Sequence, residues 1–389
     1  MEPQESFSFR VERVRSRLAE LALDAAIFSY TRSMYYLTGF NTVIYTRPQY
    51  VVLSKAGQLA FVVPKVRELR ARSKSFVADI HGFSEHAARA EERDPILRTC
   101  LLVREMAGPG VRIGLELDHL PVSIHARFAA ELKGSETVDI SALVRDLRMV
   151  KDPWEVANIR KAARITEAGM QAAHDVIMGG GTEIGANVAA EHAMARYWAE
   201  HFPEDEITGF GDSESIVASS LYCWTRAGAN IALSLPASTH KAIAGDEPVL
   251  VIIATMVNGY AAEYERTIFR DAPTGEVAGA YAAMMAAREA VYPLLKPGTI
   301  CEELMACAKD VMARHGFETG QGFLGHGLGL GHHERPHIVP GTKTPLAAGM
   351  VLAVEPAIFR PQYGVTQSDT VLITETGYET LTDPKRFIC

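Results

Sequence analysis

Hydrophobic positions in the first third of the chain change repeatedly between helical and strand spacing. A helix is predicted over residues 9–21, because Val14, Leu18 and Leu21 recur every three or four residues. The apolar run 25–29 that follows is short enough for one strand. Strands are predicted at 50–53 and 59–63, joined by a hairpin turn. Two more strands are predicted at 111–115 and 137–140, with a helix at 121–132 between them. Such alternation is typical of a compact α/β domain.

The pattern changes near residues 147–153. Residues 154–178 are rich in alanine and strongly helical, and helix-rich segments then alternate with antiparallel hairpins as far as residue 389. We therefore predict two domains, a smaller N-terminal α/β domain over 1–147 and a larger α+β domain over 148–389.

One hairpin in the second domain can be predicted almost residue by residue. Two strand-like runs flank Asn258-Gly259, the favoured two-residue type I′ turn, and this turn pairs Ala254 with Glu263 and Ile252 with Glu265. Because successive side chains of a strand point to opposite faces, the two glutamates share one face. They indicate either a reactive cleft or a solvated edge strand with surface glutamates.

A glycine-rich segment at 325–337 is dense in groups that can carry protons. Glycine lets the backbone bend and approach a ligand closely, and histidine exchanges protons near neutral pH. The polar residues of the segment are His326, His332, His333, Glu334, Arg335 and His337. A polar surface loop is the alternative interpretation, but the density of histidine favours a functional site.

Two further segments carry polar groups at the ends of apolar strands. The apolar run 349–354 ends at Glu355, and the run 367–374 begins with Ser368 beside Asp369. A buried carboxylate requires a partner or a catalytic role. We therefore expect Glu355 at the floor of a cleft.

Composition excludes several function classes. The 389 residues are 48% hydrophobic and 22% charged, the profile of a soluble globular protein. With a formal net charge of -8 and no basic tract, the chain is predicted not to bind nucleic acid, because it would repel phosphate. No apolar run reaches the roughly 18 residues of a membrane span. We expect no membrane association and see no secretory signal.

Five cysteines are scattered through the chain without a Cys-x-x-Cys pair. Their odd number and wide spacing predict free thiols, and hence a reducing cytoplasmic location. No cysteine lies within the polar segments described above, so a cysteine nucleophile is not expected.

Four motifs occur in an order that resembles a known superfamily. In chain order they are GYxxE, GHGxGLxxHExP, GMVLxxEP and SDTVLIT. Over roughly residues 148–382 the chain resembles the creatinase/aminopeptidase P/methionine aminopeptidase superfamily. This resemblance implies a C-terminal pita-bread domain, a smaller creatinase-like N-terminal α/β domain, and a homodimer.

Peptidases of this superfamily bind two metal ions through two Asp, one His and two Glu. By resemblance these positions fall on Ile252, Glu263, His326, Glu355 and Ser368. Isoleucine offers no donor atom and serine is a weak ligand, so a two-metal site is incomplete. We therefore expect no metal ion and no other cofactor, although the three remaining groups could still form a three-ligand site for one Zn²⁺.

Creatinase is a metal-free member of the superfamily, and its site implies roles for several residues. Glu265 matches its substrate-binding glutamate, and Glu355 matches the glutamate of its Glu-Pro motif. Tyr45 and Arg47 resemble a segment that reaches the partner subunit's site and holds a substrate carboxylate. Arg335 resembles a second such arginine. The resemblance thus implies substrate binding by Tyr45, Arg47 and Arg335.

The chain departs from creatinase at two histidines. The base of creatinase would fall at positions 234–235, where His240 is the nearest histidine, and a later histidine falls on Ser368. His333 matches the superfamily histidine that contacts substrate, so it is the first candidate for acid–base catalysis. His326 is the second, because without a metal it could shuttle protons.

Three carboxylates in one metal-free pocket suit a cationic ligand with several N–H donors. A guanidinium or amidinium meets this need, because it forms bidentate hydrogen bonds to carboxylates. Glu263, Glu265 and Glu355 are therefore predicted as catalytic groups of a metal-independent hydrolase. Its substrate would be a small zwitterionic guanidino or amidino carboxylate, cleaved at a C–N bond. Alternatively, Glu263 is a structural remnant that pairs with Arg266 or Lys241.

Three other functions remain open at this point. An Xaa-Pro-type metallopeptidase with an altered metal site is the main alternative, and metal analysis would distinguish it. A non-catalytic binding protein on the pita-bread fold is the second, although it would not need a charged pocket. A lyase that acts on a small zwitterion is the third.

Overall fold

The computed structural model describes residues 1–41, 47–210, 221–233, 237–318 and 322–387. The chain divides into two compact units, Met1–Arg148 and Met149–Cys389, each with its own sheet. The division lies one residue beyond the boundary predicted between 147 and 148.

The first unit alternates helices with strands, as predicted. In chain order its elements are α1 (Pro3–Glu20), β1 (Ala25–Phe28), α2 (Thr31–Thr38), β2 (Tyr50–Ser54), β3 (Leu59–Pro64), α3 (Lys65–Lys74), β4 (Asp79–Phe83), α4 (Ala90–Arg93), α5 (Pro95–Ala107), β5 (Arg112–Leu115), α6 (Val122–Glu131), β6 (Glu136–Asp139) and α7 (Leu143–Arg148). The strands form a mixed sheet in the order β4-β3-β2-β1-β5-β6.

Local sequence determines several ends of these elements. Helix α1 begins at Pro3 rather than at residue 9, because proline suits the first turn and Glu2 forms a capping box with Glu5. The β2–β3 hairpin is antiparallel, as predicted. Buried apolar side chains of β1, β2 and β5 form one core with α5.

The second unit is built on a larger sheet. Its elements are α8 (Pro153–Met178), α9 (Glu183–His201), β7 (Leu221–Ala227), α10 (Ala229–Ala232), β8 (Val249–Val257), β9 (Tyr260–Ile268), α11 (Gly275–Val291), a 3₁₀ turn (Tyr292–Leu294), α12 (Cys301–Arg314), β10 (Gly325–Gly327), β11 (Glu334–Ile338), β12 (Val351–Val354), β13 (Ala357–Arg360), β14 (Tyr363–Ile373) and β15 (Tyr378–Thr380). The strand order is β11-β10-β12-β14-β9-β8-β7, and β13 and β15 pair with β14.

The β8–β9 hairpin has the predicted turn and register. Both residues of the Asn258-Gly259 turn have positive φ angles, 48° and 79°, as type I′ geometry requires. Ile252 lies opposite Glu265, and Ala254 lies opposite Glu263. The prediction is confirmed. The sequence is sufficient here because turn chemistry and strand alternation are both local properties.

Helix α8 packs against one face of this hairpin. Its start is specified by Asp152, whose carboxylate accepts hydrogen bonds from the backbone of the first turn. Gly169 permits a close approach, because a Cβ atom there would lie 3.2 Å from Cδ1 of Ile253. Ile253 alternates with its neighbours along β8, so α8 covers the face of the sheet opposite Glu265.

The face of β9 towards α8 carries a buried charge network. Arg266 is fully buried and donates from Nη2 to Oδ1 of Asp369 at 2.7 Å. Nη2 of Arg288 and the hydroxyl of Tyr292 both donate to Oδ2 of Asp369, at 2.6 and 2.7 Å. Burial raises the pKa of Asp369, but the two guanidinium groups outweigh burial and hold that pKa below its ordinary value. Asp369 therefore connects β9, β14 and the end of α11 as a carboxylate.

Two further predictions concern membrane spans and thiols. Within the described ranges, no helix is long and apolar enough to cross a membrane. Cys100, Cys223, Cys301 and Cys307 are free, as their spacing predicts, and Cys389 lies outside the described residues.

Replacement of Asp369 by Asn should destabilise the second unit strongly. The change keeps the side-chain size but leaves Arg266 and Arg288 buried without their anion, a loss of about 3–5 kcal/mol in comparable pairs. Asp310→Asn is the matched control, because Asp310 pairs with Arg314 on the exposed surface and such pairs contribute about 0.2–1 kcal/mol. Denaturant titration measures both free energies of unfolding. Equally small losses in the two variants would show that the network does not stabilise the fold.

Candidate active site

The candidate site lies on the face of the large sheet opposite α8. Trp224, Ile252, Glu265 and Ser368 are register partners across β7, β8, β9 and β14, so they form one row on this face. Glu263 lies two residues before Glu265 on β9, so its side chain points to the same face of the sheet. Ile252 and Ser368 therefore flank Glu265 directly. These are the two positions where, by resemblance, the peptidases of the superfamily have metal ligands and this chain does not.

Glu263 is a buried carboxylate with partners on both oxygens. It is only 2% exposed. Oγ of Ser368 donates to Oε1 at 2.7 Å, and Nε2 of His332 lies 2.7 Å from Oε2. Burial raises the pKa of Glu263, but contacts with His326 and His332 outweigh burial and hold that pKa well below its ordinary value. The solvated edge strand is therefore the wrong interpretation.

The alternative pairing of Glu263 with Arg266 or Lys241 is also wrong. Arg266 binds Asp369 on the opposite face of the sheet. Nζ of Lys241 binds Glu247. Glu263 obtains its stabilisation from histidine and serine instead, so its environment belongs to the site.

His326 is fully buried, and its two ring nitrogens have different surroundings. Nδ1 donates to the carbonyl oxygen of Gly327 at 3.0 Å. Nε2 lies 3.3 Å from Oε1 of Glu355 and 3.7 Å from Oε2 of Glu263. Among the described residues, neither Nε2 nor Oε1 of Glu355 has a partner in hydrogen-bond geometry. Burial lowers the pKa of His326, but its contacts with the two carboxylates outweigh burial and raise the pKa to about 10.

Glu263, His326 and Glu355 have the arrangement of a one-metal site. Each offers one ligand atom, and these atoms lie within 4.8 Å of one another. A ligating histidine ordinarily donates its other ring N–H to a fixed acceptor, as Nδ1 of His326 does. The unpartnered Nε2 and Oε1 atoms also suit an ion between them. A second ion does not fit, because Ile252 has no donor atom and the Ser368 hydroxyl binds Glu263.

The histidine loop is shaped by glycines and by Glu334. A Cβ atom on Gly327 would lie 2.3 Å from the carbonyl oxygen of Arg335, so only glycine permits this approach of β10 to β11. Oε1 of Glu334 accepts from the backbone N–H of Gly331 at 2.6 Å, and Oε2 lies 3.6 Å from Nζ of Lys151. Glu334 therefore holds the loop in place.

Glu265 and Glu355 line a cavity of about 370 Å³. Its other described lining residues include Trp224, Arg226, Ile252 and Phe359. Burial raises the pKa of Glu265 well above its ordinary value, and the charges of Glu263 and Glu355 add to this effect. Burial and the charge of Glu263 also raise the pKa of Glu355. Glu265 can therefore carry a proton where an ordinary glutamate would be ionised.

His333 packs against the cluster without joining it. Its ring centroid lies 4.1 Å from that of His326 and 5.0 Å from that of His332. Burial lowers the pKa of His333, and positive charge on these two neighbours lowers it further, to about 3. Neither His333 nor His326 is among the described residues that line the cavity. So low a pKa makes His333 a weak base, which argues against its role as the first acid–base candidate.

Of the predicted substrate-binding residues, the structure describes Arg335 and Arg47. Arg335 is exposed on β11 and is absent from the described lining residues. Arg47 belongs to the first unit, where its Nε lies 2.6 Å from the exposed Glu85. Tyr45 and positions 234–235 lie outside the described residues.

Sequence reasoning missed two residues of the site. His332 contacts Glu263, although its neighbour His333 is the residue that the family pattern selects. Arg226 lines the cavity, and its only sequence signal is a single arginine at the end of β7. His240, the histidine nearest in sequence to the position of the missing base, is exposed.

Histidine titration by NMR should distinguish His333 from His326. We expect His333 to stay neutral between about pH 5 and 8, because its pKa is about 3. In chelator-treated protein, His326 should stay protonated over the same range, because its pKa is about 10. Spectra of labelled wild type, His333→Gln and His326→Gln assign the two signals. A His333 signal that titrates near neutral pH would contradict this assignment.

Comparison with known proteins identifies both units. The model of metallopeptidase family M24 matches residues 157–375, and the model of the creatinase/prolidase N-terminal domain matches residues 10–150. These matches confirm the predicted superfamily. They also confirm a pita-bread domain preceded by a smaller creatinase-like α/β domain.

Relatives share this arrangement along almost their whole length. An uncharacterized peptidase of Staphylococcus haemolyticus is 26% identical over 377 residues, which cover 96% of this chain and 98% of the relative. The Xaa-Pro dipeptidase from Bacillus anthracis is 24% identical, with a TM-score of 0.81 over 98% of this chain and 99% of its own. The prolidase from Pyrococcus horikoshii is 23% identical, with a TM-score of 0.79 over 98% and 100%. At such identities the two structures establish the fold alone. Since its family model matches more than half of the residues, the chain belongs to metallopeptidase family M24.

Proposed function

We propose that this chain is a peptidase that hydrolyses the amide C–N bond of a small Xaa-Pro-type substrate at a site altered to hold one metal ion. Membership of a peptidase family supports a hydrolase, which the sequence also predicts. The named relatives support cleavage of a peptide bond better than cleavage of an amidino C–N bond. The observation that carries the proposal is the cluster of Glu263, His326 and Glu355.

The donors of this cluster suit a catalytic ion. Catalytic zinc sites use three protein ligands and leave a position open for substrate or water. One imidazole nitrogen and two carboxylates also suit other divalent ions of the first transition row. An ion held there would act as a Lewis acid on the carbonyl oxygen of the scissile amide. Metal independence, the expectation from sequence, stays a prediction that chelation can test.

Residues around the cluster can position a substrate and move a proton. Glu355 belongs both to the cluster and to the cavity wall, so a ligand in the cavity lies beside the three donors. Glu265 lines the same cavity, and its raised pKa suits a proton donor to the leaving nitrogen. Ile252 lies beside Glu265 in the row and supplies an apolar surface. Trp224 and Phe359 extend that surface, which suits an apolar ring in the substrate.

Metal-independent hydrolysis of a small guanidino or amidino carboxylate is the second candidate. The observation that favours it is Ile252, which offers no donor where the peptidases of the superfamily have a ligand. Glu265 and Glu355 would then bind the planar cation through paired hydrogen bonds. A non-catalytic protein is disfavoured, because three buried carboxylates destabilise a fold that makes no use of them.

The homodimer expected from the resemblance stays a proposal. It would bring Tyr45 and Arg47 of one protomer to the site of the other. The ion pair of Arg47 with Glu85 is exposed on both sides, so it would cost little to break on assembly. Sedimentation measures the assembly state, and a monomer at working concentration would exclude a shared site.

Glu355→Gln tests the proposed metal site and activity together. The variant keeps the side-chain size and removes one anionic donor, so bound metal should fall from one ion per chain to well below one. Hydrolysis of glycyl-L-proline by the metal-loaded protein should fall by about 10²-fold or more. Elemental analysis and kcat/KM measure the two effects. Glu289→Gln, at an exposed position of α11, is the matched control and should change neither.

Excess chelator supplies the outcome that would contradict this proposal. Undiminished hydrolysis of the dipeptide in chelator would exclude the one-metal site. Hydrolysis of creatine or ectoine in chelator, without cleavage of dipeptides, would select the second candidate. Failure of the metal-loaded protein to cleave any Xaa-Pro dipeptide would contradict the peptidase assignment.

A further inference from the structure

Arg226 is the single cation among the described residues that line the cavity. It lies on β7 two residues after Trp224, so its side chain faces the same way. Only 4% of the residue is exposed. Its register partner on β8 is Leu250, which offers no acceptor in its side chain. Glu265 lines the same cavity and its charge favours the ionised Arg226, but it forms no hydrogen bond to Nε or Nη2 of that buried guanidinium.

The guanidinium of Arg226 has donors that lack acceptors. Nε and Nη2 are buried and have no hydrogen-bond partner within the described ranges. The central carbon lies 3.4 Å from the ring centroid of Trp224. This contact with the face of the indole stabilises the cation.

Glu183 acts on Arg226 through its charge, but its own oxygens are occupied by other donors. Oε1 of Glu183 accepts from the backbone N–H of Ala227 and from Nδ2 of Asn230. Oε2 accepts from the backbone N–H and the hydroxyl of Thr239. Burial of an unpaired guanidinium is unfavourable, and burial accordingly lowers the pKa of Arg226. An anion from a ligand would complete the pairing.

We propose that Arg226 binds the carboxylate of a small zwitterionic substrate and determines a preference for substrates with that carboxylate free. An arginine fork binds a carboxylate through two parallel hydrogen bonds. Glu265 and Glu355 also line the cavity, so they would meet the amide or amine end of the same ligand. The identity of the cleaved bond rests on the proposed function.

The dimensions and lining of the cavity limit the ligand. Its volume of about 370 Å³ is near the lower end of ligand pockets, which span roughly 300–1,000 Å³. Ile231, Leu250 and Phe359 supply apolar surface between the charged groups. A molecule of dipeptide size with one apolar residue suits this combination of charge and volume.

Hydrolysis of two matched substrates tests the role of Arg226. Glycyl-L-proline and glycyl-L-prolinamide differ only in the terminal carboxylate. We expect the wild type to prefer the carboxylate by about 10²-fold in kcat/KM. Arg226→Gln should lose most of this preference through a higher KM, while hydrolysis of the amide stays within about twofold. Arg226→Lys keeps the positive charge but not the two parallel N–H donors, so its preference for the carboxylate substrate should lie between those of the wild type and Arg226→Gln.

Two results would overturn the proposal. One is an equal loss of kcat/KM for both substrates in both variants, which would indicate a structural role for Arg226. The other is a wild type that does not discriminate between them. Thermal unfolding of each variant checks the fold. If Arg226→Gln does not fold, the intermediate preference of Arg226→Lys decides.

Binding of product analogues distinguishes this proposal from the proposed function. L-proline and L-prolinamide are titrated calorimetrically into the protein as purified. The carboxylate site stands if L-proline binds at least about tenfold more tightly than L-prolinamide and Arg226→Gln removes that difference. If no dipeptide is cleaved at the same time, only the peptidase assignment fails. Equal binding of both compounds by the wild type would overturn the carboxylate site, whatever hydrolysis shows.

Discussion

Burial of three carboxylates beside one another is the constraint on which this site depends. Like charges in a poorly solvated space repel, so the three cannot all behave as ordinary glutamates. Glu263 keeps its charge because Ser368 and histidine stabilise both of its oxygens. The pKa values of Glu265 and Glu355 rise instead. His326 lies between two of these groups, where either its proton or a divalent ion can balance the negative charge.

The position of these charges depends on the register of β9, which is buried on both faces. Glu263 and Glu265 face the cavity side, whereas Arg266 faces α8 and pairs with Asp369. A slip of one residue would exchange these faces and bring an arginine to the cluster. Two features oppose the slip: the local type I′ turn, and the buried network that joins β9 to β14 and α11. Chemistry on one face thus relies on electrostatics on the other.

The sequence predicts this register because turn residues and strand alternation are local. The resemblance to the superfamily predicts that a two-metal site is incomplete, because Ile252 and Ser368 stand at two of its ligand positions. The sequence does not predict that His332 contacts Glu263 or that Arg226 lines the cavity. Those placements depend on contacts between a loop and strands, and between several strands of the sheet, that form only in the fold. The same limit applies to His333, whose position in the motif suggests a base. Burial and its histidine neighbours, visible only in the fold, lower its pKa to about 3.

The central claim is that Glu263, His326 and Glu355 hold one ion in place of a proton. Calorimetric titration of Mn²⁺ or Zn²⁺ into chelator-treated protein tests it most directly. With a pKa of about 10, His326 carries a proton at neutral pH and must release it to bind an ion. The account predicts saturation at one ion per chain, with a heat that varies with the ionisation enthalpy of the buffer. Two ions per chain, or no saturable binding at all, would contradict it.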